Sequence, residues 1–393
     1  RAAIPAAGLT AAFYSGIPWL TPPIEHRSQA FGFILLAMLS VGVWRALYAR
    51  LFVQPTFQHR ALIVGAGRSG RALVRALHAE DDRSGANPFQ GTGYILLGFI
   101  DDDPAYQSKT IEMVPVLGDS QRLVEAALRL RADEIIVSIT RAHRIRPELF
   151  EAILDCREMG LPITTMPTVY ERLTGRVAVE HASRNMEIAA GQTGGPFFRF
   201  YGLLKRLMDV LLALSGLAVL VLLVPFVALA NAFTSPGPLF FRQERIGYTG
   251  RTFVLLKFRS MVPDAEGVQG AQWAREADAR VTPVGRWLRY THLDELPQVI
   301  NVLRGEMSIV GPRPERPEFV DRLSRDIPFY RARHSVRPGI TGWAQIHQNY
   351  GDSVEGAKEK LEYDLYYVKH ASPVTDVLII LRTISKVLGL QGR

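Results

Sequence analysis

The sequence predicts an α/β membrane protein, and three observations carry that expectation. Two long apolar stretches, residues 30–52 and Leu207–Phe233, are set apart from the rest. Between them, short apolar runs alternate with amphipathic ones in a βαβ rhythm. The 393 residues also combine a formal charge of +8 with 48% apolar and only 21% charged residues. That balance suits membrane segments and a basic, membrane-facing surface. The length allows two or three domains. No Lys/Arg run is interleaved with aromatics, so nucleic acid is not an expected partner. The single cysteine, Cys156, excludes an internal disulfide and fits a reducing cytoplasm, with filler on a helix as its expected role. No Cys–His cluster suggests zinc, and there is no internal repeat or low-complexity tract.

Residues 1–57 read as an N-terminal transmembrane region, expected to be the remnant of a larger one because the chain opens on Arg1. Ala2–Leu20 is mostly apolar but broken by Pro5, Gly8, Gly16 and Pro18. Ala30–Trp44 is uncharged and runs on to Phe52, about long enough to cross a bilayer. Arg45, Arg50 and Arg60 place its exit in the cytoplasm. The alternative is a buried helix of a soluble domain. A cleavable signal peptide is not expected, for want of a basic start and a small-residue cleavage pattern.

Residues 58–190 follow as alternating strands and helices. Ala61–Val64 is a short buried strand, then Gly65-Ala-Gly-Arg-Ser-Gly70 opens a helix to Ala79. Further strands are expected at Tyr94–Ile100, Glu134–Ile139 and Leu161–Met166, with helices at Ser120–Leu130 and Pro147–Met159. This series builds an open parallel sheet of Rossmann type. Gly65, Gly67 and Gly70 have the spacing and the strand–turn–helix setting of a dinucleotide loop. The acid expected to hold a ribose lies far off, however: Asp101 is about 35 positions beyond Gly65, where about 20 is usual. No Tyr-x-x-x-Lys set follows. Two readings stay open: a regulatory nucleotide site at Gly65, Gly67 and Gly70, and a purely structural or dimerising domain.

Residues 191–204, beginning with Gly191-Gln-Thr-Gly-Gly-Pro196, form the expected linker. Residues 205–235 are the second membrane element. Leu207–Phe233 carries one charge, Asp209, over a helical length of about 40 Å. Basic residues stand at both flanks, Lys205-Arg206 before and Arg242 and Arg245 after, so both ends prefer the cytoplasm. Pro225 removes an internal hydrogen bond and kinks the helix. A re-entrant helix satisfies both features, and a spanning helix is the alternative.

The chemistry concentrates in Thr291–Gly305. Thr291 reads as an N-cap, Leu293, Leu296, Val299, Ile300 and Leu303 as an apolar stripe, and Gly305 as the stop. Asp294 and Glu295 then occupy the first turn, where the helix dipole favours negative charge. Neighbouring helical residues diverge by about 100°, so the pair suits two jobs, a nucleophile and a metal ligand. The structural alternative has Asp294 closing a capping box with Thr291 and Glu295 solvated. Basic residues gather on both sides, in Lys257-Phe-Arg259, Arg286, Arg289 and Gly311-Pro-Arg313-Pro, as a phosphorylated substrate and a divalent metal require.

From Lys205 to about Leu388 these ordered motifs resemble the bacterial sugar transferase family, the monotopic polyprenyl-phosphate phosphoglycosyl transferases. Ser235–Gly247, Val336-Arg-Pro-Gly-Ile-Thr-Gly-Trp-Ala-Gln345 and Tyr350-Gly-Asp-Ser353 are also similar to family signatures. The resemblance implies a re-entrant helix with proline at its bend, then a small α/β catalytic domain over 236–393 with interfacial helices. Tyrosine-rich Lys358–Val368 and amphipathic Val374–Leu390 are candidates for the lipid interface or for core packing. It implies transfer of a sugar-1-phosphate from a UDP-sugar to undecaprenyl phosphate at the bacterial inner membrane, with the catalytic domain facing the cytoplasm. Asp294 is then the nucleophile, Glu295 the ligand of Mg²⁺, and Lys257, Arg259, Arg289, Arg313 and Gln345 the phosphate-binding set. A low pKa at the helix start is expected to keep Asp294 ionised. The region before it resembles the dehydratase-like Rossmann module often found ahead of such domains, where a homodimer is a reasonable expectation. His292 stands where the family more often has serine, and His347-Gln-Asn349 replaces an Asn-Gly-Arg-like turn. Two other classes remain: a nucleotide-sugar oxidoreductase or dehydratase, which lacks its catalytic pair here, and a membrane scaffold for polysaccharide assembly, which would be expected to lose the acidic pair.

Overall fold

The computed structural model describes residues 59–84, 93–140, 145–179, 196–262, 280–348 and 353–389, with helical positions scattered between 32 and 43. Among the latter, Leu35, Leu36 and Leu39 expose their side chains. The rest of the expected N-terminal membrane region lies outside the described residues. The chain divides into two compact units, Arg1–Val169 and Tyr170–Arg393.

In the first unit, β-branched and leucine-rich runs make strands because they are buried on both faces. Strands β1 (His59–Val64), β2 (Tyr94–Ile100), β3 (Thr110–Ile111), β4 (Val114–Gly118), β5 (Glu134–Val137) and β6 (Ile163–Thr165) form one sheet in the order β3-β4-β2-β1-β5-β6. All pairings are parallel except the short β3–β4 hairpin, which the sequence pattern did not disclose. Helices α1 (Arg68–Ser84), α2 (Leu123–Arg129) and α3 (Pro147–Glu158) make the crossovers. Leu62, Val64, Ile100, Leu123, Ile135 and Ile153 form a core with Cys156, which is fully buried on α3 as space filler. The Rossmann-like sheet is therefore present.

Helix α4 (Met166–Thr174) leaves β6 directly. Helix α5 (Pro196–Thr234) then starts inside the stretch expected as a linker and holds Pro225 within one continuous helix. It is the one described helix long and apolar enough to cross a membrane. One side is buried in the second unit at Tyr201, Asp209, Ala213, Leu220, Val227 and Asn231, while Leu207, Leu211, Val221, Leu222, Phe226, Leu229 and Phe233 are exposed. Both ends are tied to that unit. Near the start, Arg206 donates to the carbonyls of Val302 (2.7 Å) and Leu303 (2.9 Å), and Asp209 accepts from Ser308 Oγ and Ile309 N–H, both at 2.9 Å. At the far end Arg259 donates to Pro238 O (2.7 Å) and Ser235 Oγ (3.0 Å).

The remaining elements pack on α5. Strands β7 (Phe240–Ile246) and β8 (Thr252–Phe258) form an antiparallel hairpin. Helix α6 (Pro283–Tyr290), a 3₁₀ turn (Leu293–Gln298) and α7 (Val299–Arg304) follow, then β9 (Ser308–Val310), paired in parallel with β10 (Gly339–Thr341). Leu255, Phe258, Leu288, Val299, Val302 and Met307 join Ala213, Leu220 and Val227 in one core. Each fully buried large side chain there contributes roughly 1.5–3 kcal/mol. Helices α8 (Pro317–Asp326), α9 (Trp343–His347), α10 (Val354–His370) and α11 (Pro373–Leu388) complete the unit. Tyr363 and Tyr367 of α10 are packing residues, Tyr367 Oη donating to the buried Asp376 at 2.8 Å. Helix α11 buries Asp376 and Ile379 but exposes Val374, Val377, Leu381 and Ile384, an apolar stripe on a helix that also carries Arg382 and Lys386.

Candidate active site

Asp294 and Glu295 sit in a different local structure from the one their sequence suggests. Thr291 is not an N-cap. It closes α6, its hydroxyl donating to Trp287 O at 2.9 Å. The N-cap is His292, whose φ of 58° turns the chain sharply, and the carboxylates lie in a 3₁₀ turn that becomes α-helical only at Val299. Pro297 accounts for the break, since its ring displaces the i−4 carbonyl and it has no N–H to give. Gly305, at φ 82°, does end α7 as expected. His292 is exposed, and the left-handed turn it makes accounts for its place.

Three elements bring cations to this turn. Lys257 comes from the end of β8, and its ammonium donates to Glu295 Oε1 at 2.6 Å. Arg313, from the Gly311-Pro-Arg-Pro loop, donates through Nη2 to Oε1 (2.5 Å) and through Nη1 to Oε2 (3.3 Å). Arg289, on the last turn of α6, is aimed by a bond from Nε to Ser260 Oγ of 2.9 Å. This depends on the close approach of α6 to Ser260, where a Cβ on Gly285 would stand 2.0 Å from the Ser260 carbonyl. Thr282 caps α6 by accepting from Gly285 N–H.

The electrostatics separate the two acids. Burial opposes charge on Glu295, but the Arg313 and Lys257 cations outweigh it and hold this carboxyl far below the usual range. Burial, then the negative charge of Glu295, push Asp294 up, against the pull of Lys257, Arg289 and Arg313. The expected low pKa at a helix start is thus corrected: a 3₁₀ turn of six residues supplies little dipole, and Asp294 is only 8% exposed. Among the described residues, no hydrogen bond engages the Asp294 carboxylate.

Not every expected residue joins the cluster. Arg259 is 6% exposed and turned back onto the exit of α5. Gln345, on α9, donates to Ile340 O of β10 at 2.9 Å. One supporting residue had no place in the sequence reading. Asn301 is fully buried, accepting from Leu256 N–H (3.1 Å) and donating to Val254 O and Glu306, both at 2.7 Å. It locks β8 against α7 one residue before Lys257. Its signal was a lone amide in the apolar run Val299-Ile-Asn-Val-Leu303. Of the His347-Gln-Asn349 and Tyr350–Ser353 motifs, residues 349–352 lie outside the described residues.

Mg²⁺ takes one or two carboxylates together with substrate phosphates and water. The adjacent Asp294 and Glu295 match that donor set, with Glu295 Oε2 the less engaged oxygen. Among the described residues no group of three or more His, Cys, Asp or Glu side chains is placed to hold a metal ion.

In the first unit, packing accounts for two of the three glycines of the loop. A Cβ on Gly70 would stand 2.2 Å from Gly65 O, and one on Gly65 (φ 105°) 2.6 Å from Ser138 Oγ, whereas Gly67 faces open space. Asp101 immediately follows β2, beside β1, so the long spacing is absorbed by the 17-residue α1 and the connection after it. Its Oδ2 accepts from Ala66 N–H of the loop itself at 2.6 Å.

Comparison with known proteins fits both regions. The profile of bacterial sugar transferases matches residues 200–390, and that of a CoA-binding domain matches 28–149. A UDP-N-acetylgalactosamine-undecaprenyl-phosphate N-acetylgalactosaminephosphotransferase of Aeromonas hydrophila is 37% identical over 299 residues, 75% of this chain and 67% of that protein. UDP-glucose:undecaprenyl-phosphate glucose-1-phosphate transferases of Xanthomonas campestris pv. campestris and Caulobacter vibrioides are 36% and 43% identical over 70% and 50% of this chain. The chain spans 57% of the Xanthomonas protein and 74% of the Caulobacter one. Asp294, Glu295 and the cations that hold them all fall inside the matched stretch, and with that likeness extending over three quarters of its length the chain belongs to the bacterial sugar transferase family.

Proposed function

We propose that this chain transfers a sugar-1-phosphate from a UDP-sugar to undecaprenyl phosphate and releases UMP, by way of a phosphosugar carried on Asp294. The observation that carries this reading is the division of labour in the acidic pair. Glu295 is paired through Oε1 with Lys257 and Arg313, while the buried Asp294 carboxylate is left for a reacting phosphorus. The names of the relatives supply the two substrate classes.

In the first step an Asp294 oxygen bonds to the sugar-bearing phosphorus, and the bond from that phosphorus to the bridging oxygen breaks. UMP leaves with that oxygen and its electron pair. In the second, an oxygen of the polyprenyl phosphate attacks the same phosphorus, the acyl phosphate bond breaks, and the carboxylate is restored. Splitting one displacement into two is the logic of covalent catalysis. Arg313 and Lys257 carry charge that moves from Glu295 to the donor's phosphates, and Arg289 adds to the field. Mg²⁺, bound through Glu295, would supply charge neutralisation for the diphosphate.

The membrane has a defined part. An acceptor phosphate rests at headgroup level because its tail stays in lipid. Helix α5 turns an apolar side outward while both ends return to one folded unit, and α11 adds an exposed apolar stripe. We read α5 as re-entrant, with the site on the cytoplasmic face of the inner membrane.

The test is nucleotide release from a panel of UDP-sugars by the purified protein with Mg²⁺ and undecaprenyl phosphate. UMP from one donor, with turnover dependent on lipid, is the expected result. UDP as product would overturn the reading in favour of ordinary glycosyl transfer.

A further inference from the structure

The loop that carries Arg313 is held at four consecutive carbonyls. Gly339 N–H donates to Pro312 O (2.9 Å), Arg333 to Arg313 O (2.8 Å), Arg245 to Pro314 O (3.1 Å) and Ile246 N–H to Glu315 O (2.9 Å). The outer two are ordinary backbone bonds. The inner two come from charged side chains. Arg333 is 2% exposed, donates a second arm to Tyr330 Oη at 2.8 Å and pairs with the equally buried Asp364 at 2.7 Å. Glu315 pairs with Lys360 and stands 3.8 Å from Arg245.

Such a pair is a poor source of stability, because an apolar pair of similar volume usually serves as well or better in a core. Leu361, Leu365, Val320 and Leu323 form that kind of core around Tyr330. What a buried guanidinium does provide is direction. With Nη1 donating to Tyr330, and with the Nη2 that reaches the Arg313 carbonyl also standing 2.7 Å from Asp364 Oδ2, the guanidinium is fixed from two sides and holds that carbonyl in one place. At the opposite end of the same residue, the Arg313 guanidinium meets Glu295.

We propose that Arg333, locked by Asp364, is a positioning residue of the transferase site: it fixes the backbone from which Arg313 reaches the reacting phosphates. This rests on the phosphoryl-transfer reading of Asp294 and Glu295 given above. A displacement of about 1 Å remote from the chemistry can cost on the order of 10²-fold in rate, so the contact need not touch substrate to matter.

The experiment compares full-length wild type, Arg333→Lys and the double variant Arg333→Met/Asp364→Leu, each with and without Arg313→Ala, by UMP release and thermal unfolding. The double variant is expected to keep its melting temperature within a few degrees of wild type, while kcat falls roughly 30- to 100-fold. Arg333→Lys, which can still donate to the carbonyl, is expected to recover part of that loss. On the Arg313→Ala background the same changes should cost less than about threefold, because the group they position is gone. A folded double variant within about twofold of wild type overturns the inference, and so does an equal loss with and without Arg313. Should the double variant not fold, Arg333→Lys decides by the same cycle. A wild type that turns over while the variants are indifferent sinks this inference alone; a wild type that releases no UMP sinks the transferase reading with it.

Discussion

The glycine loop after β1 and the carboxylate turn after α6 are both short, polar and set against apolar cores, yet they handle their polar groups in opposite ways. In the loop, every feature is answered nearby. Asp101 accepts from Ala66 N–H, Ser138 Oγ donates to Val64 O and Gly65 O, and Arg71 reaches Ala66 O. In the turn, two carboxylates and three cations are crowded together and partly buried, and Asp294 is charged only against the cost of desolvation. The loop is the cheaper arrangement for a folded chain. The turn makes sense where charge must be presented to something that arrives. That difference, rather than the motif at either place, argues that the chemistry sits in the second unit.

The strongest way to break the comparison is Asp294→Asn. It should lower UMP release by at least about 10³-fold, since it removes the proposed nucleophile, while the melting temperature stays level or rises because a buried charge is gone. Near-normal turnover would rule out the covalent route. Glu295→Gln should behave differently, costing activity on the order of 10²-fold and also stability of roughly 3 kcal/mol, because Lys257 and Arg313 lose their shared partner. Chemical denaturation of the two variants side by side separates these outcomes.

Acidity sharpens the contrast further. The proposed attack needs Asp294 ionised, and burial with the Glu295 charge pushes its carboxyl up from the ordinary aspartate value, so single-turnover rates should fall with acid at a higher pH than a solvated aspartate would give. Glu315 works in the other direction. Burial opposes its charge, but Lys360 and Arg333 outweigh that and hold it at about 2. Its stabilising contribution is complete above the usual glutamate range and drains away as pH falls from there through about 2. Acid unfolding of Glu315→Gln should lack that component. The smallest effects belong to the loop. Gly70→Ala forces a Cβ onto Gly65 O and should destabilise the first unit by roughly 1–3 kcal/mol, while Gly67→Ala should change it by less than about 0.5 kcal/mol. Differential scanning calorimetry would show both.

Neighbouring residues show how far the sequence could be read. Lys257 and Arg259 share one side of a strand by alternation, and both looked like phosphate ligands. Strand β8 ends at Phe258, however, so Lys257 faces Glu295 while Arg259 turns to hold Ser235 and Pro238. Thr291 carried every local mark of an N-cap, but α6 ends there and claims it. Both differences lie where one element stops, and stopping points depend on what packs next to them.

The chain's own pattern was enough for the parallel sheet, the long apolar helix with proline inside it, and an acidic pair flanked by basic motifs. Those are matters of periodicity and composition, which act between residues a few positions apart. The fold settled which cations meet which carboxylate. Lys257 and Glu295 are 38 positions apart, and Arg313 and Glu295 are 18. Charge and desolvation act through space, so ionisation follows from neighbours that only packing can supply.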